Sequence, residues 1–211
     1  MKNNKTKVVA FCGFIGSGKD TAADYLVSHC GYHRESFAGT LKDAVSAVFG
    51  WDRSMLEGRT ADDRICREQI DSWWATRLNI PHLTPRWVLQ QWGTEVCRAG
   101  FHDDIWIASL ENKMRKTDNN IVISDVRFPN EIAVIHNVGG IVIRVTRGSE
   151  PVWYDDAVLA NSGSEEHYLK MVNSGIHQSE WAWITSNIDL VIDNNSSIND
   201  LFDIVSRLIN T

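Results

Sequence analysis

The segment at residues 13–21, G-F-I-G-S-G-K-D-T, combines glycines, a lysine and an acid in a pattern suited to binding phosphate. It follows the apolar run 8–11 and precedes an amphipathic stretch, so a strand, a glycine-rich turn and a helix start are predicted in that order. This is the context of a phosphate-binding P-loop. Glycines let the backbone approach an anion, and the helix N-terminus favours negative charge. Lys19 would reach the β- and γ-phosphates of a nucleoside triphosphate.

Position 20 departs from the usual P-loop, which has Ser or Thr directly after the lysine. Asp20 would hold Mg²⁺, directly or through water, because a carboxylate is a good ligand for a hard cation. Alternatively it only stabilises the helix start, and the two roles are compatible. The residues that we expect to bind ATP are Gly13, Gly16, Ser17, Gly18, Lys19, Asp20 and Thr21.

A second motif follows the apolar run 121–123 and Ser124, which together predict a buried parallel strand ending at Asp125. An acid at a strand end is typical of the Walker B carboxylate, which holds Mg²⁺ or its water shell. Arg127 would project over the same edge, and a guanidinium suits bidentate phosphate contact. The alternative is an Asp–Arg turn that only ends the strand. The upstream P-loop favours a role in nucleotide binding or catalysis for both residues.

Two cations lie near predicted helix starts, where they oppose the helix dipole. Lys42 follows the turn 37–40, and Arg86 follows Thr84 and Pro85, a helix N-cap and first helical position. A nearby anion would explain why these cations lie at helix starts, and the two side chains together could hold one phosphate. For Lys42 a solvated surface side chain is an equally good interpretation.

The tryptophans are predicted mainly to pack. Trp92 and Val96 are predicted on the core face of one continuous helix that begins at Thr84 and Pro85. Trp106 suits either the core or a platform for a stacked base. The pairs Trp73-Trp74 and Trp181 with Trp183 lie in polar regions, where we favour packing over a cover for a base. The polar cluster 177–180 pairs a histidine with a serine, but no acid lies at recognisable spacing, so hydrolase chemistry is rejected.

Bulk properties exclude several classes of protein. The chain has 211 residues, 43% hydrophobic, and a net charge of −6, which argues against polymeric nucleic acid or membrane surfaces as partners. The four cysteines have no metal-site or C-x-x-C spacing and are expected to be free thiols in a reducing, cytoplasmic compartment. Neither a signal peptide nor a membrane-spanning run is predicted, and residues 1–7 are expected to form a short tail.

Strand and helix patterns alternate along the chain, which predicts a parallel sheet covered on both faces. Ligands of such sheets bind at the carboxyl ends of the strands, where the P-loop and Asp125 fall. We expect one P-loop kinase domain over 1–211, a three-layer α/β/α fold. Its predicted insertions are a helical substrate-binding segment at 51–83 and a lid-like region at 147–186.

Several motifs in order resemble the phage-type deoxynucleoside monophosphate kinases. They are the P-loop segment 13–24, A-G-x-x-K-D-A at 38–44, R-x-x-L-Q-x-x-G-T-E at 86–95, Trp106, D-x-R-x-x-x-E at 125–131, H-x-S-E at 177–180 and D-L-V-I-D-N at 189–194. Together they span nearly the whole chain, and the Lys-Asp-Thr ending of the P-loop resembles that family and not the common form.

The resemblance implies transfer of the γ-phosphoryl group of ATP, with Mg²⁺, to a deoxynucleoside monophosphate (dNMP). Lys19, Asp125 and Arg127 would be catalytic, and Asp20 and Asp125 would hold the metal. The implied dNMP contacts are Leu41, Lys42, Arg64, Arg86, Gly93, Thr94, Trp106, Asp125, Arg127 and Glu131. A kinase of this family that is encoded by a phage would work in the host cytoplasm.

Two other functions stay open at this point. Another small-molecule P-loop kinase, of the dephospho-coenzyme A or phosphomevalonate type, shares the P-loop and the D-x-R region. The second is a non-catalytic nucleotide-binding regulator. The presence of Lys19 and Asp125 argues against it, because a regulator does not need residues that stabilise a transition state. The accepted bases, the preference for deoxyribose and the formation of a homodimer are not determined by the sequence.

Overall fold

The computed structural model describes residues 7–209, so the predicted tail, apart from Lys7, lies outside the described part of the chain. The chain divides into two compact units. The second unit is Phe37–Leu110, and the first contains the described residues before and after it. The predicted insertion 51–83 falls within the second unit, whose limits are wider.

The first unit is built on a parallel sheet. Its strands are β1 Val8–Cys12, β2 His33–Glu35, β3 Ile121–Ile123, β4 Ile141–Thr146 and β5 Leu190–Asp193. They lie in the order β2-β3-β1-β4-β5, and every neighbouring pair is parallel. The central strand β1 is buried along its whole length, as its apolar run predicts. The carboxyl ends of all these strands therefore meet at one edge.

Helices account for most of the remaining chain. In chain order they are α1 Lys19–Cys30, α2 Gly39–Phe49, α3 Arg53–Glu57, α4 Ala61–Glu68, α5 Ser72–Leu78, α6 Pro85–Gln90, α7 Ile105–Lys116, α8 Pro129–Asn137, α9 Tyr154–Asn161, α10 Glu165–Asn173 and α11 Ile198–Ile209. A π-helix, Gln91–Ala99, directly follows α6, and a 3₁₀ helix, Gln178–Glu180, follows α10. Among residues 7–209, no helix has both the length and the apolarity needed to cross a bilayer.

Both faces of the sheet are covered. Val9 and Phe11 of β1 pack with Leu26 of α1 and Leu201 of α11 in one buried cluster. Alternate strand residues point to the opposite face, where the buried Ile135 of α8 lies beside Val8. This arrangement confirms the predicted three-layer α/β/α fold.

The region at 147–186 belongs to the first unit and forms the packed pair α9 and α10, followed by the 3₁₀ helix. Trp181 and Trp183 are buried there, which confirms packing for this tryptophan pair. Trp73 of the second unit is instead 61% exposed, so burial is not confirmed for it. Its predicted role as a lid stays a prediction. The cysteines are free, as expected, and burial raises the pKa of the Cys12 thiol to about 12.

The second unit packs helices around an apolar cluster that includes Leu41, Leu56, Val88 and Trp106. Short helices α3, α4 and α5 confirm that 51–83 is helical with loops. One expectation is wrong: Val96 was predicted on the core face of a continuous α-helix, but it is exposed. The π-helix is the reason, because each of its turns takes up an extra residue and rotates later positions away from the core.

Candidate functional site

The P-loop closes tightly against neighbouring strands and loops. Gly18 has φ +100°, and a Cβ there would lie 2.3 Å from Asn194 Nδ2. A Cβ on Gly13, at φ +140°, would lie 2.4 Å from the Val145 carbonyl oxygen. Both positions therefore require glycine, for the backbone conformation and for space.

Asn194 holds the P-loop from the loop after β5. Its side-chain Nδ2 donates to the Ser17 carbonyl oxygen at 2.8 Å, and its backbone N–H donates to the Thr146 carbonyl oxygen at 2.8 Å. The side chain is buried. Sequence reasoning did not single out Asn194, although the D-L-V-I-D-N motif ends on it.

The N-terminus of α1 is left open by the protein. Its N-cap, Gly18, has no side chain and no side-chain capping bond is formed. The buried Ser17 hydroxyl has no hydrogen-bond partner among the described residues. Uncapped N–H groups at a helix start attract an anion, so the loop has the geometry of a phosphate cradle.

Asp20 connects the P-loop to the end of β3. Its Oδ1 accepts a hydrogen bond from the Ser124 hydroxyl at 2.8 Å, and its Oδ2 lies 3.7 Å from Lys19 Nζ. Ser124 directly precedes Asp125. The structure therefore places Asp20 at the end of β3, where Asp125, the second predicted metal ligand, follows. Ser124 was missed by sequence reasoning and has no residue-type signal of its own.

The oxygen atoms at this edge suit a hard cation. Within residues 7–209, no group of three or more His, Cys, Asp or Glu side chains could hold a metal ion. Mg²⁺ commonly binds through one or two carboxylates together with substrate phosphates and water. Asp20 and Asp125 would supply the carboxylates in that mode, and the phosphates of a bound nucleotide would supply further ligands.

Arg127 is fixed at both its backbone and its side chain. Its Nη1 donates to Glu180 Oε1 at 2.5 Å and to the Ser179 hydroxyl at 3.3 Å. Its backbone N–H donates to Glu131 Oε2 at 2.7 Å, and the N–H of Phe128 donates to the same oxygen at 3.2 Å. The predicted site residues Arg127 and Glu131 are therefore in direct contact, and Glu180 completes the arrangement.

In the second unit, Lys42 is neither solvated nor free. Its Nζ donates to Glu57 Oε2 at 2.7 Å, and Arg53 Nη1 donates to Glu57 Oε1 at 2.5 Å. Arg53 also donates through Nε to Asp43 at 2.6 Å. Burial raises the pKa of Glu57, but the hydrogen bonds from Lys42 and Arg53 outweigh it and bring that pKa below its usual range.

This ion-pair network borders an open cavity of about 690 Å³ within the second unit, lined by residues with charged or hydroxyl side chains. The cavity lining includes Asp43, Arg53, Glu57 and Arg59. Its volume is typical of sites for small molecules. The lining contains none of the residues that the sequence predicts to contact the acceptor. One of those residues, Lys42, is connected to the cavity through its ion pair with Glu57.

Trp106 belongs to the core of the second unit. It is 8% exposed, and its indole Nε1 donates to the Gly93 carbonyl oxygen at 2.9 Å. A Cβ on Gly93 would lie 3.0 Å from the buried Leu41 side chain. The packing alternative for Trp106 is therefore the one that the structure supports. Thr94, next to Gly93, is exposed.

The predicted arginines lie on two helices of the second unit that pack together, α4 and α6. Arg86 is exposed at the second position of α6, after the Thr84 cap, whose hydroxyl accepts from the Trp87 N–H at 3.1 Å. Arg64 donates to the carbonyl oxygens of Gly58 and Arg59, at 3.1 and 3.2 Å.

Comparison with known proteins identifies viral relatives. A protein of Acanthamoeba polyphaga mimivirus, provisionally named a deoxynucleotide monophosphate kinase, is 33% identical over 199 residues, which cover 79% of this chain and 94% of the relative. The deoxynucleoside-5'-monophosphate kinase of Escherichia phage T5 is 27% identical over 179 residues, covering 59% of this chain and 69% of the relative. No protein-family model matches the chain.

Among solved structures, a dephospho-CoA kinase from Campylobacter jejuni superposes with a TM-score of 0.45 at 16% identity, covering 98% of this chain and 97% of the other. A shikimate kinase from Bacteroides thetaiotaomicron gives 0.40 at 9% identity, covering 97% and 99%. These scores support no inference about activity. The family rests on the sequence relatives: this chain belongs to the deoxynucleoside monophosphate kinases.

Proposed function

We propose that this chain transfers the γ-phosphoryl group of ATP to a dNMP, giving a dNDP and ADP. The observation that carries the proposal is the P-loop, whose glycines are required sterically and whose helix N-terminus has no protein cap. Membership of the kinase family supplies the reaction type. The P-loop alone would fit ATP binding in many proteins.

The donor would bind at the P-loop of the first unit. Backbone N–H groups between Gly13 and Thr21 would surround its phosphates, and Lys19 would stabilise charge on the transferring group. Asp20 and Asp125 would hold Mg²⁺, which neutralises phosphate charge when bound. The contact between Asp20 and Ser124 supports this placement.

The acceptor would bind to cations and shaping residues. Lys42, Arg64 and Arg86 would contact its phosphate. Gly93, which packs against Leu41 and accepts the Trp106 indole hydrogen bond, would shape the site together with the adjacent Thr94. Arg127 would screen the phosphates during transfer, with Asp125 beside it in the chain. The capping contacts of Glu131 favour a role in positioning the Arg127 backbone over direct contact with the acceptor.

This chemistry needs no general base, because the attacking oxygen of a dNMP is a phosphate oxygen that is already ionised at neutral pH. Phosphoryl transfer is accelerated mainly by alignment and charge stabilisation. The fixed guanidinium of Arg127 and the largely buried Lys19 are side chains of the required kind.

An assay of ADP release across acceptors tests the proposal. ATP and Mg²⁺ would be incubated with dAMP, dGMP, dCMP, dTMP, their ribose forms, dephospho-coenzyme A and phosphomevalonate. We expect release with at least one dNMP. Release only with one of the other acceptors would assign a different small-molecule kinase, and ATP binding without turnover on any acceptor would support a regulator.

A further inference from the structure

Arg67 was not among the residues expected to bind the acceptor, yet it lies beside one of them. Arg64 and Arg67 are three residues apart on α4, which places both on the same face of that helix. Both guanidinium groups contact backbone carbonyl oxygens that precede the helix, Arg67 near the end of α3 and Arg64 in the turn between α3 and α4. Arg67 Nη1 donates to the Leu56 carbonyl oxygen at 3.3 Å, and Arg64 Nε donates to that of Gly58 at 3.1 Å.

Gly58 makes this placement of Arg67 possible. A Cβ on Gly58 would lie 2.2 Å from Arg67 Nη2 and 2.3 Å from its Cζ. Any side chain at position 58 would therefore displace the guanidinium. The glycine also has φ +66°, where other residues are strained.

The guanidinium groups of this cluster are not held by direct ion pairs within residues 7–209. Among the described residues, Arg64, Arg67 and Arg86 form no salt bridge, in contrast to Arg53 and Arg127. The Nε of Arg67 is buried and has no hydrogen-bond acceptor among residues 7–209.

The arginines also lie close enough to repel one another. Burial lowers the pKa of Arg67 most, and the positive charge of Arg86 lowers it next. Glu68 opposes this shift more strongly than Arg64 adds to it, and Asp63 opposes it least. Like charges that lie near one another without direct ion-pair partners repel, and a bound anion would offset that repulsion. Arginine is the side chain best suited to bidentate phosphate contact.

We propose that Arg67 is a further acceptor-binding residue, and that Arg64, Arg67 and Arg86 together hold the phosphate of the dNMP. This inference rests on the proposed function for the identity of the anion. The competing explanation is purely structural: Arg67 would only tie α4 to the turn at Leu56 and Gly58. The two explanations predict different effects of substituting Arg67 on KM for the dNMP and on KM for ATP.

The test compares Arg67→Gln and Gly58→Ala with Arg77→Gln, an exposed arginine of the same unit on α5. Arg67→Gln removes the charge, whereas Gly58→Ala keeps the charge and displaces it. For each dNMP that the wild type phosphorylates, we expect both variants to raise KM about tenfold or more, the loss of a charged hydrogen bond. KM for ATP should not change, and Arg77→Gln should match the wild type.

A second measurement does not depend on turnover. Inorganic phosphate should raise the melting temperature of the wild type and of Arg77→Gln more than that of Arg67→Gln or Gly58→Ala. Equal phosphate stabilisation in all these proteins, with the ratio of KM for dNMP to KM for ATP unchanged, would overturn the inference. If the wild type phosphorylates no dNMP but shows the phosphate difference, the proposed function fails and the anion site stands.

Discussion

Arg127 and Glu180 form an ion pair of 2.5 Å that joins the loop after β3 to the 3₁₀ helix following α10. Ser179 adds a hydrogen bond to the same guanidinium nitrogen, and Glu131 holds the backbone of Arg127. The cation that we propose to screen the phosphates is thus held by protein contacts before any substrate binds. Such preorganisation is a main source of electrostatic catalysis.

Glu180→Gln should lower kcat about tenfold while leaving the fold intact, because Arg127 would keep its backbone contacts and lose its charged partner. Steady-state kinetics with saturating ATP and dNMP would measure this. Ser179→Ala is the matched control, since it removes only the longer bond, and we expect a smaller effect. An unchanged kcat in Glu180→Gln would remove the ion pair from the account of catalysis.

Lys19→Ala should lower kcat by roughly three powers of ten, as for loss of a main electrostatic group at the transferring phosphate. Single-turnover rates would measure the effect, and an unchanged circular dichroism spectrum would confirm that the variant folds. Turnover near the wild-type rate would mean that Lys19 is not part of the mechanism.

Arg86→Ala should raise KM for the dNMP by about tenfold or more, because a charged contact to the acceptor phosphate is lost. KM for ATP should stay within about twofold of the wild-type value, a small difference in free energy. Initial rates at varied concentrations of each substrate separate the two effects. Equal changes in both constants would remove Arg86 from the acceptor site.

Glu57→Gln should destabilise the protein at neutral pH by about 1–3 kcal/mol, because Lys42 and Arg53 would lose their common partner. The pKa of Glu57 is lowered in the folded state, so its contribution is complete above the unfolded value of about 4.3 and is lost as pH falls through the lower folded value. Urea unfolding of both proteins from pH 7 downward would measure the difference. If the difference in free energy of unfolding between the wild type and Glu57→Gln stayed the same at the lowest pH, the charged form of Glu57 would not be the source of the stabilisation.

The sheet and the P-loop could be predicted because their signals are local. The run before Gly13 is apolar throughout, as a central parallel strand requires, and β1 is buried along its length. The glycine pattern likewise specifies backbone geometry without help from distant residues. The cap formed by Thr84 and Pro85 was identifiable for the same reason.

Side-chain partnerships could not be predicted, because they join residues far apart in sequence. Lys42 meets Glu57 across 15 positions, and Arg127 meets Glu180 across 53. Residue type and periodicity carry no information about such pairs. The π-helix was missed for a different reason: Val96 fits a 3.6-residue period, and nothing in that period signals an extra residue per turn.

The most direct test of the account follows the phosphoryl group itself. Wild-type protein and Lys19→Ala would be incubated with Mg²⁺, a dNMP and ATP labelled in its γ-phosphoryl group, and the products would be separated by chromatography. We expect label in the dNDP with the wild type and almost none with Lys19→Ala. Label that stays in ATP, or that appears only as free phosphate, for all of dAMP, dGMP, dCMP and dTMP would contradict transfer to a dNMP.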